Sequence, residues 1–497
     1  MRFPVMSKVA AVGAVLLGLL WGLSEVSNLV AERSARLHEA ERSVADSLAG
    51  SQTITGPALT RVCTESWTSV QGEGKDIKRV AEQSTLTVQS LPRKLNIDGT
   101  AAIEPRYRGI YKVNGYLMSA KLTADWVDLA ELQPKALHTG GVVTCAPATL
   151  MFALNDTRGV RSAVLELQGQ AVAVEPGTLQ ASHARGLHAT LPEAVLQSAL
   201  RGEAPLEVTL RLDLAGTQSL AFTPLGEDNR IQLKSNWPHP SFGGRFLPST
   251  RDVTEQGFNG QWQVSALAST ARAAFAAGRS TCSFNETAAT DPRSYRAASV
   301  AVNTNANANA NANANDAVGC IETFGVTFID PVNPYVLSDR ATKYGLLFIV
   351  LSFVAVGLTE VMRSLRVHPI QYLLVGSALV VFFLLLVSLS EVWSFAAAYA
   401  AAATACALLL AYYAAHVLQG WRPGALFGAG IGGLYGTLYV LLQLEQNSLA
   451  LGSMLLFAVL TCVMVVTRKI DWYALLAQVR FANAPSPLPS NETALPA

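Results

Sequence analysis

The chain has 497 residues, of which 50% are hydrophobic and only 15% are charged, whereas roughly a quarter of the residues are charged in an ordinary soluble protein. Lys and Arg (37) almost balance Asp and Glu (36), so the sequence lacks the strongly basic character that nucleic-acid binding needs. The charges are also unevenly distributed, because residues 344–467 contain only six of them. This distribution predicts a membrane-embedded part joined to a water-exposed part.

The first apolar run begins close to the N-terminus. Val9–Ser24 has no charge, and a helix can continue past it to Val30. We interpret residues 1–31 as a cytoplasmic N-terminus and a first membrane span, because a span needs about 20 apolar residues. Basic residues before an apolar run also fit a cleaved signal peptide, which is the alternative. The anchor is favoured because no small-residue cleavage site follows the run.

Residues 32–342 are predicted to form a domain outside the cytoplasm. Residues 32–49 carry apolar side chains at helical spacing and are typical of an amphipathic stalk helix. Residues 53–335 contain short runs with β character, bounded by Gly, Pro, Asn and Asp. In Leu206–Leu214 every second residue is apolar, which is typical of a half-buried strand. We therefore expect a β-rich, sandwich-like domain that ends in an extended, proline-stiffened link to the membrane.

Four cysteines lie in this predicted domain, and an oxidising compartment allows them to pair in three ways. Cys282 and Cys320 bracket the Ala-Asn repeat of residues 303–315, which we expect to be a flexible insert. A bridge between these two would hold the base of the insert together, with Cys63–Cys145 as the complementary pair. Unpaired thiols are the alternative.

The C-terminal part contains five further runs that are long enough to span a membrane. They are Tyr344–Met362, Pro369–Ser390, Val392–His416, Pro423–Leu444 and Ser448–Thr467. Arginines and lysines occur in alternate short loops, on the same side as the basic N-terminus, and such residues stay in the cytoplasm. The prediction is six transmembrane helices, with a five-helix domain at 343–467, a cytoplasmic tail at 468–497 and the β-rich domain in the periplasm.

Four glycines recur at every fourth residue of the predicted fifth span: Gly424, Gly428, Gly432 and Gly436. The segment formally matches GxGxxG, but a dinucleotide loop must follow a strand, and this match lies inside an apolar run. Small residues at this spacing allow another helix to approach closely. We therefore interpret the stripe as a helix-packing face, with the lining of a pore as the alternative.

No signature of a hydrolase, nucleotide-binding loop or metal site is present, so we expect no enzymatic activity, cofactor or metal. His183 and His188 are close enough in sequence to share a metal in a loop, although two solvated side chains are the favoured interpretation. Ionisable residues in lipid are functional candidates by default. Four occur, all near the ends of predicted spans: Glu360, His368, Glu391 and Glu445. No chain of charges runs through the middle of the spans, which weakens a transporter interpretation.

Several ordered blocks resemble the inner membrane protein CreD family over most of the chain. They include GPAL (56–59), RGIYKVNGY (108–116), SNWPHPSFGGRFLP (235–248), GFNGQW (257–262), GVTFIDPVNPY (325–335), HPIQYLLVGSAL (368–379), YGTLYVLLQLE (435–445) and TRKIDWY (467–473). The resemblance implies an inner-membrane protein of Gram-negative bacteria that is associated with envelope integrity and a regulated stress response, and it supplies no catalytic residues. The chain departs from the family where Val392 follows Glu391 and Gln446 follows Glu445, which weakens any polar site there.

Three functions are consistent with these features. The leading hypothesis is a non-enzymatic membrane protein, surrounded by lipid, whose periplasmic domain binds another envelope component. The second is a transporter or lipid-handling channel formed by the C-terminal helices. The third is an envelope hydrolase, which predicts a polar cleft that holds a paired nucleophile and base.

Overall fold

A computed structural model describes residues 5–71, 78–284, 319–328, 330, 333–362 and 367–443, together with 452–454, 457–458, 460–461, 464–465 and 468. It divides into two compact units. One contains residues 1–36 and 332–497, and the other contains residues 37–331.

The first helix, α1 (Val5–Ser47), contributes to both units. The anchor and the stalk helix that the sequence predicts belong to one uninterrupted helix in the structure. The physical reason is that residues 24–47 contain no glycine or proline that would break it.

The unit of residues 37–331 contains a nine-stranded and an eight-stranded sheet. The nine-stranded sheet is built from β1 (Gln52–Gln71), β2 (Lys78–Ser90), β5 (Val142–Cys145), β6 (Thr149–Leu154), β9 (Glu175–Pro176), β10 (Gly186–Thr190), β12 (Ser219–Phe222), β14 (Ser241–Gly244) and β17 (Phe324–Thr327). The eight-stranded sheet is built from β3 (Lys94–Arg108), β4 (Tyr111–Trp126), β7 (Val160–Leu167), β8 (Gln170–Val172), β11 (Leu206–Thr217), β13 (Asp228–Ser235), β15 (Thr250–Thr254) and β16 (Gly257–Ser265).

The order of the nine-stranded sheet is β14-β17-β12-β1-β6-β10-β9, with β2 and β5 also paired to β1. The order of the eight-stranded sheet is β15-β16-β13-β3-β4-β11-β7-β8. The pairs β1–β12 and β3–β13 are parallel and the others are antiparallel. One apolar core draws residues from both sheets, among them Ile54 and Phe152 from one and Ile97 and Leu210 from the other. In β11 the alternation read from the sequence holds, since Leu206, Val208, Leu210, Leu212 and Leu214 are all buried.

A smaller core covers the other face of the nine-stranded sheet. Two short helices belong to this unit, α2 (Glu193–Leu200) and α3 (Ala271–Ala276). Ala274 and Phe275 of α3 pack with Met151 and Ala153 of β6 and with Ile321. Both faces of this sheet are therefore occupied, and the second face is the one on which a cleft is found.

The other unit is helical. It contains α4 (Pro334–Lys343), α5 (Gly345–Met362), α6 (Pro369–Ser390), α7 (Phe395–Val417) and α8 (Trp421–Gln443). Within the described residues, α1, α6, α7 and α8 are each long and apolar enough to cross a membrane, and the bent pair α4–α5 raises the number to as many as five. The predicted span 448–467 lies mostly outside the described residues, although the positions that are described within it are helical.

The described part of the junction before the second predicted span is extended at Asn333 and helical from Pro334 to Lys343. The sequence predicted that the two prolines of DPVNPY stiffen an extended link, but α4 begins at Pro334. Asn333 caps this helix, because its side-chain oxygen accepts a hydrogen bond from the Tyr335 backbone at 3.0 Å. Asn333 itself keeps the extended conformation that is preferred before a proline, and a capping Asn followed by proline in the first turn favours the start of a helix.

Candidate functional sites

Glu360 is the centre of a polar network in the helical unit. Its carboxylate forms an ion pair with the Lys8 ammonium of α1. It also accepts hydrogen bonds from the Tyr372 hydroxyl of α6 at 3.0 Å and from the Val367 backbone at 3.3 Å. The structure thus links three chain segments through this one side chain. The carboxylate therefore has several partners and its visible role is to join helices.

His368 caps α6. Its Nδ1 accepts a hydrogen bond from the Ile370 backbone at 3.2 Å, and the Gln371 side chain accepts one from the His368 backbone at 2.9 Å. Such reciprocal bonds satisfy amides that a helix start leaves without partners. This candidate therefore has a structural role.

Glu391, at the C-terminal cap of α6, lies 3.5 Å from the Arg33 guanidinium of α1. Glu445 lies outside the described residues. The pairs made by Lys8 and Arg33 are about 38 Å apart along α1, at about 1.5 Å per residue. Since the hydrocarbon core is about 30 Å thick, the two ion pairs suit the two boundaries of a membrane.

The glycine stripe of α8 has two different parts. Gly424 packs directly against Ala415 of α7, and Gly428 packs against Ala411, so close that neither site has room for a Cβ atom. By contrast, Gly432 and Gly436 have no atom of the described residues within 4 Å of an added Cβ. Within the described part of the chain these last two glycines have no packing partner, so for them the packing interpretation stays a prediction. They line an open groove of about 750 Å³ between α7 and α8, and its lining contains no charged residue.

Both cysteine pairs favoured from the sequence are brought together as disulfides. Cys63 of β1 lies opposite Cys145 of β5 and is bonded to it. Cys282 is bonded to Cys320, and its backbone donates a hydrogen bond to Ile321 at 2.9 Å. The Ala-Asn insert lies outside the described residues.

The two histidines that raised the question of a metal have separate partners. His188 Nδ1 lies 2.9 Å from the Gly177 carbonyl, and its Nε2 lies 3.6 Å from the Glu175 carboxylate. His183 Nδ1 lies 2.9 Å from the Ser182 hydroxyl. Within the described part of the chain, no cluster of three or more His, Cys, Asp or Glu side chains could hold a metal.

A polar cleft of about 280 Å³ lies on the outer face of the nine-stranded sheet. We call it the sheet cleft, and it is lined by Thr53, Thr55, Ala153, Leu154, Asn155, Ser182, His183, Ala184, Arg185, Ser280 and Thr281. The polar floor of the cleft is explained by the alternation of side chains along β1. Ile54 points into the main core, so its neighbours Thr53 and Thr55 point to the opposite face and line the cleft. One wall is the turn before β10, and the other adjoins the disulfide at Cys282.

The wall of the sheet cleft is held in place by hydrogen bonds within the turn. Thr178 is fully buried, and its hydroxyl donates to the His183 carbonyl at 2.5 Å. The Gly177 backbone donates to Gly186 at 2.8 Å, which closes the turn. Leu179, between them, is exposed and has φ of 61°, a strained conformation for a branched side chain. Strain of this kind persists only where the surroundings enforce it and is common at functional sites.

Electrostatically, the sheet cleft has one fixed positive charge. The Arg185 guanidinium donates to the Asn155 carbonyl at 3.2 Å, and no carboxylate belongs to the lining. Burial lowers the pKa of His183, so the imidazole is neutral at neutral pH. Asn155 donates to the Thr53 hydroxyl at 3.2 Å. Sequence reasoning missed this site, because its residues come from four separated segments that share no motif.

Taken together, the apolar helices define a multi-pass membrane protein, and the chain also contains a large, disulfide-bonded β-rich unit. Residues 4–473 match the family model described as inner membrane protein CreD. The chain is 33% identical over 476 residues to inner membrane protein CreD of Escherichia coli (strain K12), and the match covers 95% of each chain. It therefore belongs to the CreD family, as the sequence blocks indicated, and is a multi-pass inner-membrane protein.

Among solved structures, an M1 zinc metallopeptidase from Deinococcus radiodurans shows 14% identity and a TM-score of 0.15. The match covers 35% of this chain and 38% of the peptidase. A second structure of that enzyme gives 13% identity and a TM-score of 0.14. Likeness this slight supports no conclusion about fold or activity.

Proposed function

We propose that this chain supports envelope integrity by binding another envelope component through its β-rich unit, which faces the periplasm. The sheet cleft is the observation that supports the binding role, because it is an open polar site on a sheet whose two faces otherwise pack against apolar cores. The two disulfides support periplasmic placement, since such bonds persist in oxidising compartments.

The proposed topology has six spans, with both termini in the cytoplasm. It is supported by the basic residues in alternate short loops and by Trp393 and Trp421, which are exposed just outside the two ends of α7. Tryptophan is enriched at both membrane surfaces. An enzyme reporter that is active only in the periplasm, inserted at Gly202 in an exposed turn, is expected to be active. Activity of a cytosolic reporter alone at this site would overturn the topology.

Crosslinking in intact cells tests the binding role. A photoactivatable amino acid replaces Ser182 at the sheet cleft, and the matched control replaces exposed Gln170 of β8 in the other sheet. The expected result is an identified envelope component that is attached at residue 182 and not at residue 170. Equal products at both positions, or none at residue 182, would contradict the proposal.

The role in integrity is tested separately by deleting the gene and challenging cells with detergent or cell-wall antibiotics. We expect reduced survival, restored by the wild-type chain. Unchanged survival would count against this role while leaving the binding result in place.

Conduction of a substrate through the helices is less well supported. The described polar networks at Glu360 and Glu391 lie near helix ends, and the groove beside α8 has an uncharged lining. A proton- or ion-driven transporter uses polar residues near the middle of the membrane. The geometry therefore favours the binding role.

A hydrolase is favoured by one contact, the hydrogen bond between Ser182 and His183 in the sheet cleft. A nucleophile–base pair also needs a third group that orients the base. The second ring nitrogen of His183 is buried, and no carboxylate of the described residues pairs with it. We therefore propose a non-enzymatic role and expect a serine-reactive fluorophosphonate to leave Ser182 unlabelled. Labelling that disappears in Ser182→Ala would replace binding with hydrolysis.

A further inference from the structure

We propose that the sheet cleft recognises the carboxylate end of a short peptide. This inference rests on the proposed binding function and adds the chemical class of the ligand. The groups that line the cleft are one guanidinium, several hydroxyls, an amide and a neutral imidazole. Each can form hydrogen bonds with a carboxylate or with peptide amides.

The charge of the ligand follows from Arg185. Guanidinium has five N–H donors, and in the described structure only one hydrogen bond is formed, to the Asn155 carbonyl. Asp156, which follows this asparagine in the sequence, is already paired with Arg158 at 2.6 Å. Arg185 thus retains donors in the fork geometry that matches a carboxylate, and no acid of the lining competes for them.

The lack of carboxylates in the lining also argues against a cation as the ligand. Divalent cations such as Ca²⁺ and Mg²⁺ are held by oxygen ligands that include carboxylates. The neutral state of His183 leaves Arg185 as the one fixed charge of the lining, which suits a ligand with a single negative group.

The volume of the sheet cleft and the neutral groups in its lining favour a peptide over a small inorganic anion as the ligand. The volume of about 280 Å³ is equivalent to about nine waters at about 30 Å³ each, which is more than one carboxylate fills. Hydroxyls of Thr55, Ser280 and Thr281 line the remaining space. These groups can donate to peptide carbonyls and accept from peptide N–H groups, while Ala153 and Leu154 offer apolar contact.

The test is calorimetric titration of the full chain in detergent with N-acetyl-alanyl-alanine and with its C-terminal amide. The two probes differ only in the charged group. We expect the acid to bind and the amide to bind at least about tenfold more weakly, because a hydrogen bond to a charged group is stronger than one between neutral groups.

Three variants make the result specific. Arg185→Gln is expected to weaken binding of the acid about tenfold or more and to leave the amide unaffected, while Arg185→Lys restores part of the affinity. Arg161→Gln, at an exposed position of β7, is the control and leaves binding unchanged. Formation of both disulfides, seen by mobility on a non-reducing gel, shows that each variant has folded.

Equal affinity for acid and amide, no heat from either probe up to millimolar concentration, or unchanged binding in Arg185→Gln would overturn the carboxylate proposal. Crosslinking at residue 182 tests the binding role independently of charge. A specific crosslink combined with equal affinity for the two probes therefore rejects the ligand class and retains the proposed function.

Discussion

Asp156 attaches the end of α1 to the β-rich unit, and its replacement by Asn gives a sharp test of that attachment. Its carboxylate accepts hydrogen bonds from the backbones of Gly50 and Arg158, both at 3.1 Å, and pairs with the Arg158 guanidinium at 2.6 Å. Arg158 also donates to the Asp46 carbonyl at 2.6 Å, in the last turns of α1. In Asp156→Asn the charge is lost, although the amide oxygen can still accept one backbone bond.

The contribution of this carboxylate to the stability of the fold can be worked out from the pKa of Asp156. Hydrogen bonding from Arg158 lowers this pKa from 3.8 to about 2. The difference corresponds to about 2.4 kcal/mol at about 1.36 kcal/mol per pKa unit. The Arg158 side chain is 55% exposed, so solvent screening reduces the expected contribution to about 1 kcal/mol.

The sign of the pH dependence is fixed by the lowered pKa. The carboxylate stabilises the fold above the unfolded pKa of about 3.8 and loses this effect as the pH falls towards 2. At pH 3 roughly half of the contribution remains. The variant is therefore expected to differ from the wild type most at neutral pH and least near pH 2.

Hydrogen exchange of the full chain measures the effect at residues 49–52. At pH 7 the protection factors of this segment are expected to fall about fivefold in Asp156→Asn, which corresponds to about 1 kcal/mol at 298 K. Glu166→Gln is the control, because the ion-pair partner of Glu166 is Arg211 of β11, on the exposed surface, rather than a residue of the attachment. Unchanged protection in Asp156→Asn, or an equal fall in the control, would refute the attachment.

Three further predictions concern other parts of the chain. Glu360→Ala leaves the Lys8 cation without its acceptor and is expected to destabilise the detergent-purified chain by about 1–3 kcal/mol, seen as a lower Tm; an unchanged Tm would show that the network is dispensable. Gly428→Leu is expected to lower the Tm, because α7 occupies the space that the new side chain needs. Gly436→Leu is expected to leave the Tm nearly unchanged, and a larger fall in Gly436→Leu than in Gly428→Leu would contradict the division of the glycine stripe into two parts. Replacing both cysteines of the 63–145 bridge by serine is expected to lower the free energy of unfolding by up to about 4.5 kcal/mol through chain entropy and to increase proteolysis of the β-rich unit. Equal resistance to proteolysis would reject a stabilising role.

Most of the fold could be predicted from the sequence because the strongest signals are local. The run Pro369–Ser390 has the same bounds in the sequence and in the structure, since a lipid-spanning helix is specified by continuous apolar composition. The alternation in β11 predicts its buried face for a similar reason. The strand order could not be predicted, because parallel pairs such as β1–β12 join residues that are far apart in the sequence.

The candidate sites were harder to predict because a side chain's partner is set by tertiary structure. Glu360 could be identified as an ionisable residue in an apolar segment, but the residues next to it in the sequence do not indicate that its partner is Lys8. The same limit applies to the glycine stripe, where equal spacing conceals two different environments for Gly428 and Gly436. The sequence offers two interpretations of His183, a solvated side chain or a metal ligand shared with His188, and neither indicates its neighbours in the fold, Ser182 and Phe275.

The disulfide at Cys282 connects the compartment of this unit with the shape of its cleft. Thr281, which lines the sheet cleft, pairs with Ile321 in an isolated bridge, and the adjacent Cys282–Cys320 bond fixes the two strands together. An isolated bridge provides few hydrogen bonds, so the covalent bond provides much of the restraint on this wall. Because such a bond forms in an oxidising compartment, the proposed periplasmic placement predicts that the cleft keeps its complete shape only there, and reduction of this disulfide is expected to loosen the wall.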